Sequence, residues 1–302
     1  MIYKSLHKIA NTLILNQHNI NSIGLLDGKL GIAIFLFHYA QLTQKPQYRD
    51  CAEQILDNVI DHIENRSFQY GFKEGICGIA WGINYLNRNL FVEGDINDVL
   101  EDIDNLILSN IDVDKQMQLL PDSSLFDLGF YFSMRINNPH YNKEDKIVKN
   151  ILTVIKTILN TDSSLNMSLL NSISYTMSRI SCFFEINTSE LDSLTKIITI
   201  NILKSIDEER YSTSDLLICN ALNPKMYHDV SSSSLQAGEI DMDTYIACTW
   251  QKLLYSFEKS ICHLDLVNIN DAINKLIMDL SIEITMEKGL AGIGIGLILN
   301  EK

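Results

Sequence analysis

The sequence predicts an all-α protein, an (α/α) toroid of about seven helical hairpins read as one domain over residues 1–302. Three observations predict it. A glycine-spaced segment recurs three times, stretches apolar nearly all round alternate with stretches carrying one apolar stripe, and the last glycine segment resembles the first.

The three copies are Gly24-Leu-Leu-Asp27-Gly28-Lys-Leu-Gly31, Gly71-Phe-Lys-Glu74-Gly75-Ile-Cys77-Gly78 and Met286-Glu-Lys-Gly289-Leu-Ala-Gly292-Ile-Gly294. They and the residues just after them hold eleven of the fourteen glycines, so glycine marks a unit of construction rather than scattered loops. Gly28 and Gly75 lie 47 residues apart, and six steps of 43 to 44 residues lead from Gly28 to Gly289. That spacing gives seven inner helices and six outer ones.

The elements follow in order. An amphipathic first helix puts Tyr3, Leu6, Ile9, Ala10 and Leu13 on one face, and no small-residue cleavage site follows it as in a signal peptide. The first inner helix, 32–42, is apolar nearly all round and must be covered by protein on most sides. The outer helix 47–63 carries the stripe Ala52, Ile55, Leu56, Val59, Ile60, Ile63. The second pair is 79–86 with the outer stripe Ile96, Val99, Leu100, Ile103, Leu106, Ile107. A third inner helix, 125–136, contains Gly129 and precedes the outer stripe Ile147, Val148, Ile151, Leu152, Ile155, Leu159. The fourth pair is 169–183 with 189–206, and the fifth inner helix, 214–222, is short and lacks an outer partner. The sixth pair is 244–257 with the stripe Ile269, Ile273, Leu276, Ile277, Leu280, Ile284. The seventh inner helix, 293–299, ends the chain without a polar capping repeat, which favours closure onto the first repeat over an open solenoid.

Composition narrows the function classes. A net charge of −14 argues against nucleic acid and anionic membranes as main partners, because both are polyanions. No apolar run reaches the roughly 18 residues that span a bilayer. The six cysteines, at 51, 77, 182, 219, 248 and 262, lie mostly inside apolar helical patterns without CxxC pairs. They read as small buried hydrophobes in a reducing compartment, and a cytoplasmic location is expected.

Glycine at the head of an inner helix has two physical uses. The missing Cβ lets neighbouring elements approach closely, or it permits a positive φ just before the helix. Either way the free N–H groups of each inner helix start point toward one end of the toroid and favour carboxylates or polar peptide groups. The polar residues placed there by repeat position are Asp27, Lys29, Lys73, Glu74, Asp122, Glu287 and Lys288, and they are candidates for contacting a partner rather than for catalysis.

At these residues the sequence resembles the lanthionine synthetase C-like family, most closely over 24–110 and 286–300. The resemblance implies a seven-repeat α/α toroid with a G-L-x-x-G-x-x-G motif heading each inner helix. It implies relatives that add a cysteine thiol to a dehydrated Ser or Thr of a ribosomal peptide. They use zinc held by two cysteines and a histidine to lower the thiol pKa, with a further histidine moving the proton. Their signatures are H-G in the fourth repeat, W-C-x-G in the fifth and C-H-G in the sixth. This chain reads Leu169-Leu-Asn171-Ser-Ile-Ser174, Tyr211-Ser-Thr-Ser-Asp215 and Gly238-Glu-Ile-Asp-Met-Asp243 at those places, with Cys219 and Cys248 falling later, inside the helices. No ligand carries over, so neither zinc nor a catalytic residue is expected.

The remaining candidates carry little. Cys262-His263 supplies two metal donors without a third, and Tyr227-His228-Asp229 sits in a polar, serine-rich loop. Trp81 and Trp250 read as core, and His38 and His62 as ordinary helix residues. The expected function is a non-catalytic member of the family that binds a precursor peptide or a peptide-modifying enzyme. Two alternatives stay open: an active thioether cyclase with an atypical site, or another α/α-toroid enzyme such as a glycoside hydrolase. The latter needs two carboxylates roughly 5–10 Å apart, for which Glu74 and Asp122 are the pair to try.

Overall fold

The computed structural model describes residues 2–63, 71–110, 131, 134–135, 152–153, 155–160, 165–183, 188–222, 242–255, 266–278 and 283–300. Among them the regular structure is helical, with no strand. The chain forms two compact units, Met1–Ile103 with Val230–Lys302, and Asp104–Asp229.

The first unit holds α1 (Ile2–Asn16), α2 (Lys29–Thr43), α3 (Pro46–Ile63), α4 (Ile76–Arg88) and the start of α5 (Asn97–Asn110). From the C-terminal part of the chain it adds α9 (Met242–Tyr255), α10 (Leu266–Met278) and α11 (Leu290–Asn300). The inner helices stand side by side, with α9 against α11, α11 against α2 and α2 against α4. Every residue of α2 from Leu30 to Ala40 is buried, as its all-round apolar sequence requires. In α11 the same holds from Leu290 to Ile298. The expected contact between the last and first inner helices is therefore present. α3 packs on α2 as an outer helix through Tyr48, Ala52, Ile55, Leu56 and Val59.

α1 fills a place that the repeat count leaves empty. It packs on α11 and α10 as well as on α2, so it is the outer helix beside the terminal inner helix. Its face is rotated from the expected one. Leu6, Ile9, Ala10 and Leu13 are buried, but Tyr3 is 59% exposed and Ser5 is buried instead. The cause is the polar contact to α10, where the Ser5 hydroxyl donates to Asn270 and Lys8 Nζ donates to Asn274 Oδ1 at 3.0 Å.

Two further expectations are corrected. In α5 the buried line is Leu100, Ile103 and Asp104, whereas Val99 and Leu106 lie exposed at its edges. Ile284 is buried, but in the loop before the third glycine motif rather than on α10, and its carbonyl accepts from Ala291 N.

The second unit contains α6 (Met167–Phe183), α7 (Thr188–Asp207) and α8 (Thr213–Leu222). α6 packs against α8 as one inner helix on the next, and α7 covers α6 from outside. α7 ends in a Schellman turn, with Arg210 N donating to Ser205 O and Glu209 N to Ile206 O, and Glu209 at φ 52. Asp104, Tyr131 and Arg135 form a buried cluster in this unit. Tyr131 Oη donates to Asp104 Oδ1 at 2.6 Å, while Arg135 Nε and Nη2 donate to Oδ2 at 3.0 and 2.9 Å. Most of the expected third hairpin, 125–136 with 144–159, lies outside the described residues. Within it Tyr131 is helical and buried, as are Leu152, Ile155 and Leu159.

Candidate functional site

The glycine segments form the loops before α2, α4 and α11, and these three loops interlock. Leu26 N donates to Lys73 O at 3.0 Å, tying the first loop to the second. Met286 N and Glu287 N both donate to Leu26 O at 3.0 Å, tying the third to the first. Gly28 and Gly75 cap their helices at φ −137 and −93, so the caps use no left-handed backbone. Of the two uses of glycine, close approach is the one realised.

The glycine three residues after Gly28, Gly75 and Gly289 shows how close in each copy. A Cβ at Gly31, Gly78 or Gly292 would lie 2.4, 1.9 or 2.2 Å from the carbonyl oxygen six residues earlier, on Leu25, Phe72 or Met286. Each loop thus folds its carbonyl back onto the first turn of its own helix. Gly24 brings the first loop onto the second, since its Cβ would meet Glu74 Cα at 2.5 Å.

On this backbone stands a charged clasp with one residue from each copy. Lys73 Nζ lies 2.9 Å from Asp27 Oδ2 and 2.7 Å from Glu287 Oε2. Contact with Glu287 and then Asp27 raises the Lys73 ammonium above the ordinary lysine range. Burial raises the Glu287 carboxyl, the Lys73 ammonium pulls it back, and neighbouring Asp27 raises it further. The clasp holds one cation between two carboxylates, so it orders the loops.

Three of the seven expected polar residues therefore meet. Lys29 turns away to donate to Asn58 Oδ1 of α3 at 3.3 Å, and Glu74 and Lys288 are exposed. Asp122, Cys262, His263 and Tyr227-His228-Asp229 lie outside the described residues. Trp81 is buried and stacks on Tyr85 at 5.2 Å, consistent with core. His62 Nδ1 bonds Asn58 O within its helix. His38 carries more than its sequence position shows. It is 3% exposed, 2.7 Å from Tyr85 Oη through Nε2, and edge-on to Phe91. Burial raises the Tyr85 phenol, so this inter-helix pair is neutral on the tyrosine side.

The clasp predicts a pH effect. A folded-state pKa raised for Glu287 means that its contribution to stability is present below the unfolded carboxyl pKa and is lost as pH rises through the folded value. Removing Lys73 takes away the influence that lowers this pKa. Lys73→Met should therefore show a deficit of at most about 1 kcal/mol near neutrality, the scale of an exposed pair. The deficit should shrink as pH falls through the carboxylate range, which urea unfolding of both proteins between about pH 4 and 7 measures.

A family model described as lanthionine synthetase C-like protein matches residues 19–181, just over half of the chain. The chain belongs to this family. The match covers the first two glycine copies, and the third docks on the first through the bonds just given. No curated protein and no solved structure matches the chain. The fold of lanthionine synthetase C-like proteins is an α/α toroid, in keeping with the helical hairpins described above.

The heads of the fourth and fifth inner helices stand where the family signatures carry a histidine and a cysteine, while residues 238–241 ahead of the sixth lie outside the described residues. At the head of α6, Asn171 Nδ2 donates to Asp215 O at 2.8 Å. At the head of α8, Ser212 N and Oγ donate to Asp215 Oδ2 at 3.2 and 2.6 Å, and Asp215 N donates back to Ser212 Oγ at 3.1 Å. This is a capping box. An amide, a hydroxyl and a capping carboxylate do not fit a site that needs thiolate and imidazole donors. Cys219 is buried in α8 and Cys248 in α9. Among the described residues no three His, Cys, Asp or Glu side chains gather as a metal site, and no helix is long and apolar enough to cross a membrane.

Proposed function

We propose that this chain is a non-catalytic lanthionine synthetase C-like protein of the cytoplasm, a single domain that binds a ribosomally made precursor peptide at the loops of its glycine copies. The observation that carries this reading is the capping box at the head of α8, with Asn171 at the head of α6 bonded to it. At the head of the fifth inner helix, where cyclising relatives are expected to place a zinc-binding cysteine, Ser212 and Asp215 are occupied in starting the helix. The glycine loops, by contrast, retain their close packing in all three copies. The support is thus a scaffold kept intact beside chemistry that has been rewritten. Polar peptide groups suit both the carboxylate oxygens of Asp27 and Glu287 and the free N–H groups of the inner helix starts.

A linear peptide carrying one dehydroalanine, one cysteine and a fluorophore tests this directly. The expected result is saturable binding by fluorescence anisotropy, with cysteine thiols disappearing no faster than without protein when trapped by alkylation and weighed. Accelerated thiol loss that a single change such as Cys248→Ala abolishes would overturn the non-catalytic reading. Absence of binding to the precursor peptide, with the peptide-modifying enzyme binding instead, would shift the partner from substrate to enzyme.

A further inference from the structure

The outer helix α7 carries an apolar patch on the face where an outer helix ordinarily meets water. Leu194, Ile198, Ile202 and Ser205 are buried and form one line. Lys196, Ile200, Leu203 and Asp207 are exposed, with Ile200 at 64% and Leu203 at 43%. At about 100° per residue these four fall within about 60° of one another, diametrically opposite the buried line. They are therefore the outermost residues of the helix.

The order of the four side chains is self-complementary. Turn a second α7 antiparallel to the first about a two-fold axis between residues 201 and 202. Ile200 then faces Leu203 of the second copy, Lys196 faces Asp207, and each contact occurs twice, as an isologous interface requires. Opposite charges flank an apolar centre on both sides. Polar side chains beside the stripe are satisfied within the helix. Thr195 Oγ1 donates to Leu191 O at 2.8 Å, Thr199 Oγ1 to Thr195 O at 2.8 Å, and Asn201 Nδ2 to Ile197 O at 2.9 Å. Covering the face leaves the donors of both threonine hydroxyls paired.

We infer that α7 is an interaction surface for a second copy of this chain, pairing antiparallel about residues 201–202. The reach of one helix makes this a weak, concentration-dependent dimer rather than an obligate one. It is independent of the peptide reading, because it uses a different helix and different chemistry.

Sedimentation velocity over a hundredfold concentration range tests it with four proteins. The parent should shift from monomer to dimer, and Leu203→Glu should weaken association about tenfold or more. Lys196→Asp alone should weaken it by placing like charges together, and Lys196→Asp with Asp207→Lys should restore it. Circular dichroism melting confirms that each variant is folded, which exposed positions favour. A parent that stays monomeric throughout overturns the inference, as does a dimer that Leu203→Glu leaves unchanged. Failure of the double charge swap to recover association overturns the stated register.

Discussion

Asp104→Ala should lose about 3–5 kcal/mol of unfolding free energy, the scale of breaking a buried ion pair by removing one partner. The reason lies in what remains. Arg135 is 5% exposed and loses its bonds to the Asp104 carboxylate, while Tyr131 is fully buried and loses an acceptor of its hydroxyl. A surface pair such as Arg49–Glu53, 2.8 Å apart with both side chains about half exposed, should cost no more than about 0.5 kcal/mol when broken. Removing both charges tells whether the pair itself is favourable. Asp104→Leu with Arg135→Met should recover much of the loss, because apolar replacements avoid leaving one charge stranded. Guanidinium unfolding of the two single variants and the double variant provides the cycle. Single losses below about 1 kcal/mol would show that water reaches the cluster.

Gly78→Ala should be the most damaging change of a single hydrogen to a methyl. Propensity alone predicts the opposite, since alanine in place of a helical glycine gains about 1 kcal/mol. Geometry reverses the sign. The new Cβ would sit 1.9 Å from Phe72 O, and that carbonyl belongs to a loop already tied to its neighbour through Lys73 O. Backbone held from two sides has little room to yield, so a net loss of about 3 kcal/mol or more is expected, with reduced soluble yield. Gly82→Ala is the comparison. Its Cβ would meet Leu30 Cδ2 at 2.5 Å, the far end of a flexible side chain, and the change should stay within about 1 kcal/mol. Thermal melts of the two variants side by side check the ranking; equal stabilities would mean the loop can shift.

The parts of this fold that were legible in the sequence share one property: their signal is local or periodic. The glycine copies, the all-round apolar α2 and α11, and the stripe of α3 each show within one helix length. The clasp was legible in part. Asp27, Lys73 and Glu287 could be named from their repeat positions, but their meeting at one ammonium depends on a neighbour more than two hundred residues away along the chain. Lys29, equally placed by position, turned to Asn58 because a helix residue one step later points toward the outer layer. Asp104 was missed although a sign was there. It stands four after Leu100 and three before Ile107, on the apolar stripe, where a carboxylate requires a buried partner. Tyr3 misled because an amphipathic face can rotate by tens of degrees when one serine finds an amide on the neighbouring helix.

The docking of α11 on α2, with Met286 and Glu287 bonded to Leu26 O, has a consequence for how this protein is made. On a ribosome, α2 emerges some 260 residues before the segment that covers one of its flanks. At roughly 5–20 residues per second, that flank of a helix apolar on every side waits tens of seconds for its cover. Few contacts near in sequence can shield it meanwhile, beyond α1, α3 and α4. The nascent chain is thus expected to need a chaperone's protection through most of its synthesis, and to reach its native core only when the third glycine copy has left the exit tunnel.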